Sequence, residues 1–169
     1  MLKRVKEILQ PLACAPVQAY FSSAFQLYHL LEFVLEETGP ANVVLTTFSV
    51  SEEFIRKVLQ MKETGLIKNL VVVADHRTAV EALRLTLFTN NIAEELLLGN
   101  NHAKVVLAEN RNWKVSVVTS QNQTRGNRIE CGMICTYPEI YDSLLKSIAT
   151  EQTKMIDANA VFDGTAGEN

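Results

Sequence analysis

Long apolar runs are missing from this 169-residue sequence. No stretch approaches the roughly 20 apolar residues that a helix needs to cross a bilayer. Met1-Leu2-Lys3-Arg4 is not followed by the apolar core of a signal peptide. Cysteine is scarce: Cys14, Cys131 and Cys135 are odd in number and never form a Cys-x-x-Cys pair. That excludes a disulfide framework as the basis of the fold and suits reduced thiols in a cytoplasmic protein, which is the expected location. The three histidines are scattered, at His29, His76 and His102. No metal-ligand spacing is present, so no metal and no other cofactor is expected, and activity should survive a chelator.

An excess of positive charge is missing as well. The formal net charge is −3, which by itself argues against a nucleic-acid partner. Its distribution alters that reading. Residues 150–169 carry Glu151, Asp157, Asp163 and Glu168 against Lys154 alone, so the acidic excess lies in this tail. Between residues 101 and 130, Lys104, Arg111, Lys114, Arg125 and Arg128 stand against Glu109 and Glu130. A local basic region of this kind is compatible with an anionic ligand.

What is present is globular composition, 47% apolar and 21% charged, in a length that fits one domain. No repeat or low-complexity linker divides it. The expected division is an N-terminal extension over 1–16, a folded domain over 17–152 and a flexible tail over 153–169. Apolar residues recur at steps of three and four over 17–37, predicting a long helix closed by Gly39-Pro40. Residues 42–48 read as a buried strand. Ser51 then caps a second helix carrying Phe54, Ile55, Val58, Leu59 and Met61 on one face, with Gly65 past its end. The β-branched run 69–74 reads as a central strand, 77–89 as a third helix, and 92–98 fits either helix or strand. Strands over 104–108 and 113–119 flank a polar turn, predicting a hairpin. A strand over 129–136 and a helix over 138–152 follow. Alternating strands and helices that end in a hairpin imply an α/β class with a mixed sheet between helices.

Within this frame His102-Ala103-Lys104 carries the chemistry. Side chains two residues apart on a strand share a face, which sets an imidazole beside a fixed ammonium. Imidazole is suited to nucleophilic or proton-transfer work near neutral pH. Lys104, the Ser120 hydroxyl and the Asn122 amide are donors for the non-bridging oxygens of a phosphodiester. Glu130 can accept from one ring nitrogen and so fix the tautomer.

The pattern His102-x-Lys104-x4-Glu109, then Thr119-Ser120-Gln121-Asn122, then Asn127-x-x-Glu130, resembles the phospholipase D superfamily. That family carries His-x-Lys-x4-Asp, Gly-Ser-x-Asn and a downstream acid. The likeness spans roughly residues 20–148, with Glu109 where the family has Asp and Thr119 where it has Gly. It implies a phosphodiesterase, most plausibly a nuclease, working through a phosphohistidine on His102. Lys104, Ser120 and Asn122 bind phosphate, Glu130 orients the imidazole, and Glu109 and Asn127 support the site. Such chemistry uses two imidazoles, and this chain has one copy of the motif. The resemblance therefore implies a homodimer with one composite site, in which the partner's His102 is the general acid. The alternative is a catalytically weak or inactive module of the same fold that binds DNA or serves an assembly.

The remaining candidates have plainer readings. His29 reads as a half-buried helix residue. His76, between Asp75 and Arg77, lies at a strand's carboxyl end, where turn chemistry explains it as well as ligand binding does. Trp113 reads as packing, and Arg125 and Arg128 as either a solvated loop or substrate contacts.

Overall fold

The computed structural model describes residues 2–76, 93–122 and 128–157. Its elements run α1 (Leu2–Ile8), β1 (Val17–Ser22), α2 (Leu27–Thr38), β2 (Ala41–Thr47), α3 (Glu52–Glu63) and β3 (Ile67–Asp75). Then come β4 (Glu95–Gly99), β5 (Val105–Glu109), β6 (Lys114–Thr119), β7 (Glu130–Cys135), α4 (Pro138–Gln152) and β8 (Ile156–Asp157). The strands form one mixed sheet in the order β1-β7-β6-β5-β2-β3-β4-β8. The pairs β2–β3 and β3–β4 are parallel, and the other neighbours are antiparallel.

Strand alternation separates two cores. Val106, Ala108, Val115, Val117 and Ile134 point to one face and join Leu30, Phe33 and Val34 of α2, and Phe54 and Val58 of α3. Val105 and Leu107 point to the other face, against Tyr141, Leu144, Leu145 and Ile148 of α4. Val5 of α1, with Leu9 and Leu12 behind it, belongs to the first core, so residues in the 1–16 segment are packed with the rest. At the far edge Ile156 and Asp157 pair with Leu98 and Leu97.

Local chemistry explains most element boundaries. The Ser51 hydroxyl accepts from the Phe54 amide at 3.2 Å and starts α3. Gly65 ends the turn after it with φ of 77°, a conformation that costs a glycine nothing. The β5–β6 hairpin is closed by Asn110, whose side-chain oxygen accepts from the amides of Asn112 and Trp113 at 2.9 and 3.0 Å.

The helix expected over 17–37 is corrected. Val17–Ser22 is strand β1, paired antiparallel with β7, and the helix begins only at Leu27. The three-and-four spacing holds through Leu27–Thr38, but Val17–Ser22 equally suits a strand. There Tyr20 turns inward while Val17, Ala19 and Phe21 turn out. Pairing with β7 settles the matter, because tertiary hydrogen bonds outweigh weak local preference. The ambiguous stretch 92–98 resolves in favour of strand β4. The third helix expected over 77–89 lies outside the described residues.

His29 marks the true helix start. Its Nδ1 accepts from the Gln26 amide at 3.0 Å in a reciprocal cap. Burial lowers its pKa below the ordinary 6.5. The unfolded chain therefore takes up the proton first, and stability falls as pH drops through 6.5 toward the depressed folded value. Urea midpoints measured at about pH 7.5 and about pH 5.5 should differ more for the wild type than for His29→Gln, which keeps a capping acceptor without titrating. Equal differences would remove His29 from the account.

Candidate active site

The carboxyl ends of β2, β3 and β4 and the start of β5 meet at one end of the sheet. The segment that crosses there, 100–104, carries His102 and Lys104 and is held by Asn101. The buried Asn101 amide donates to the Thr47 carbonyl at 2.8 Å and the Ala103 carbonyl at 3.2 Å, and its oxygen accepts from the Ala103 amide at 3.2 Å. Thr46 Oγ1 accepts from the Val105 amide at 2.9 Å, fixing where β5 begins. Asn101 and Thr46 act through backbone geometry and leave no periodic signal in the sequence.

His102 is exposed, with its ring centroid 4.8 Å from that of Phe48. Lys104 is buried, its Nζ 5.8 Å from the Phe48 centroid, 3.1 Å from His102 Nδ1 and 2.6 Å from the His102 carbonyl. A lysine ammonium only donates, so Nδ1 accepts and a neutral ring carries its hydrogen on Nε2. Burial lowers the Lys104 pKa, and the charge of Glu130 acts against that shift.

The β6–β7 pairing brings the second half of the site alongside. The Ser120 hydroxyl donates to the Glu130 carboxylate and accepts from the Cys131 amide at 3.0 Å. Glu130 thus bonds Ser120 and reaches Lys104 through its charge; its hydrogen bond does not go to His102. Asn122 lies two residues beyond Ser120, with a buried side-chain oxygen that has no hydrogen-bond partner among the described residues. Asn127 and Arg125 lie outside the described residues, and Arg128 is exposed just before β7.

Thr119 is tied to a network that the sequence did not reveal. Its hydroxyl donates to the Cys131 carbonyl at 3.0 Å and lies 2.6 Å from Tyr20 Oη, which also donates to Gln121 Oε1 at 3.2 Å. The Thr119 hydroxyl also accepts from the Gln121 amide at 3.1 Å, while Gln121 Nε2 donates to the Phe25 carbonyl at 3.0 Å. Burial pushes the Tyr20 phenol up to about 12, which keeps it protonated as the donor. The extra methyl and hydroxyl of Thr119 thus face the α2 side of the sheet and lock the start of the Ser120–Asn122 loop.

Two sequence readings separate from the site. Glu109 ends β5, about 17 Å along the strand from Lys104. There it receives a hydrogen bond from Tyr141, whose pKa it helps burial to raise. The basic region 101–130 is not one patch either. Lys114 pairs with Asp142, and Arg111 sits in the hairpin turn at the Glu109 end, so neither joins Lys104 at the site. Linear closeness failed here because a strand and its hairpin carry neighbouring residues to opposite ends of a sheet. His76 is exposed beside Gly99, its Nδ1 3.3 Å from that carbonyl.

This mixed sheet, with helices on both faces and the His102–Lys104 segment at its end, is similar in fold to solved phospholipase D family structures. No family model matches the sequence, and no curated protein matches it. Among solved structures, the chain is similar to Nuc from Salmonella typhimurium, a phospholipase D family member. The identity is 17% and the TM-score 0.62, over 83% of this chain and 96% of that one. NucT from Helicobacter pylori matches at 11% identity and a TM-score of 0.60, over 83% of this chain and 98% of its own. TrmBL2, an archaeal chromatin protein with a novel mode of DNA binding, matches at 10% identity and 0.55, over 90% of this chain and 60% of its own. No helix among the described residues is long and apolar enough to cross a membrane.

Proposed function

We propose that the chain is a phosphodiesterase acting on nucleic acid, with one composite site per homodimer. The observation that carries this reading is the convergence of His102, Lys104, Ser120 and Glu130 at one end of a phospholipase D-type sheet. TrmBL2, which shares this fold over 60% of its own length, is described as binding DNA.

In this scheme the substrate phosphate draws the Lys104 ammonium away from His102 Nδ1. The ring proton then moves to Nδ1, and Nε2 presents its lone pair to phosphorus. The new N–P bond forms as the bond to the leaving oxygen breaks, and the partner's His102 supplies the proton to that oxygen. The same imidazole next removes a proton from water, whose oxygen displaces His102 and releases a phosphate monoester. Lys104, the Ser120 hydroxyl and the Asn122 amide face the charge on the non-bridging oxygens. Glu130 orients Ser120 and balances the charge of Lys104, and Asn127 supports the loop.

The test is hydrolysis of a chromogenic phosphodiester and of single- and double-stranded DNA, with samples quenched by denaturation at alkaline pH, where an N–P bond survives, and assayed for phosphate on His102. Turnover with labelled His102 supports the reading. Turnover unchanged in His102→Ala, or none in the wild type, overturns it. The second reading is a DNA-binding module of this fold without turnover, favoured by the TrmBL2 likeness and by the Lys104 bond that occupies His102 Nδ1. It predicts DNA binding that His102→Ala leaves intact.

A further inference from the structure

One row of side chains crosses the sheet from covered to bare. Val105, Val118, Met133 and Ala19 stand opposite one another in register on β5, β6, β7 and β1, on the face that α4 shields. Val105, beneath α4, is 8% exposed, whereas Val118 is 42% and Met133 45% exposed. The bare area continues to Phe21, 77% exposed and opposite Cys131, and to Ile129 at 63%. Val17 extends it along β1. None of these side chains is charged. Strand β1 is also the edge of the sheet and contains neither a proline nor a charged residue, the devices that ordinarily discourage strand pairing.

We propose that this bare face of β1, β7 and β6 is the docking surface for a second copy of the chain. The inference rests on the homodimeric reading above and assigns it a surface. The five larger bare side chains together expose on the order of 500 Å², near the upper end of the apolar patches found on monomers. A two-fold pairing would bury about twice that, roughly 1,000 Å², about the least that a biological interface needs. An identical partner also brings its own charges against their like, and a face without charge avoids that repulsion. The face adjoins the site: Phe21 is next to Ser22, which pairs with Glu130, the residue that holds Ser120. A copy seated here lies beside the active end of the sheet.

Sedimentation at micromolar concentration tests the surface, with circular dichroism as the check on folding. The wild type should be a dimer, and Phe21→Glu/Met133→Glu, at two exposed positions, a folded monomer with association weakened at least about 100-fold. Ile156→Glu, at an exposed residue on the opposite sheet edge, should remain a dimer. A double variant that stays dimeric overturns this surface and leaves the homodimer standing. Dissociation of Ile156→Glu as well overturns the surface, because added charge alone would then explain the effect. A monomeric wild type overturns both.

Discussion

His102→Asn should lower phosphodiester hydrolysis by at least about 10⁴-fold, because it removes both the nucleophile and the general acid of a composite site. Asparagine retains a polar group at an exposed position beside Phe48, so folding is not at stake. Subunit mixing makes the result specific to a shared site. When equal amounts of wild-type and His102→Asn subunits are exchanged, only dimers with two imidazoles turn over. Activity per total subunit should then be about one quarter of the wild-type value, since it follows the square of the wild-type fraction. Independent sites would give about one half by the same counting. A value near one half contradicts the composite site while leaving His102 essential. Lys104→Met, by contrast, removes the ammonium from a buried position and should also raise KM, because the cation meets the phosphate before the transition state forms.

Gly132→Ala should destabilise the fold by about 1–3 kcal/mol, the usual cost of overpacking. A Cβ built on Gly132 would lie 2.6 Å from Tyr20 Oη and 2.7 Å from two ring carbons. These atoms cannot simply swing aside. The ring stands directly across from Gly132 in the β1–β7 register, and its hydroxyl is held by Thr119 and Gln121. Thermal unfolding should register a fall of about 2–4 °C for each kcal/mol at this chain length. A double-mutant cycle isolates the cause. In a Tyr20→Leu background the same glycine substitution should cost little, and an equal cost in both backgrounds would show that the ring is not what the methyl meets.

The elements legible in the sequence were those whose causes are local. Ser51 and Gly65 bracket α3 because a cap and a left-handed turn need only their own residues. Pro138 opens α4 for the same reason. The His102-x-Lys104 pair was legible from residue type and spacing. Both residues lie in the segment before β5 and not on a strand, and it is Asn101 that shapes this segment, in which Nζ lies 3.1 Å from Nδ1. Val17–Ser22 was not legible as a strand. Its neighbours in sequence continue with helical spacing, and its partner β7 lies more than a hundred residues away.

The site divides in the same way. Residue type and spacing were enough to single out His102 with Lys104 as a candidate pair, and the polar residues Ser120 and Glu130 that accompany it. The fold had to decide how they combine: that Glu130 takes its hydrogen bond from Ser120, that Glu109 stands at the opposite end of β5, and that Lys114 answers to Asp142. It also had to decide that Tyr20 reaches Thr119 across a glycine. The reason is one of range. Chemical capacity belongs to a residue and its nearest neighbours along the chain. Hydrogen bonds, charge coupling and steric exclusion act over a few ångströms in space, and only sheet register determines which distant residues come that close.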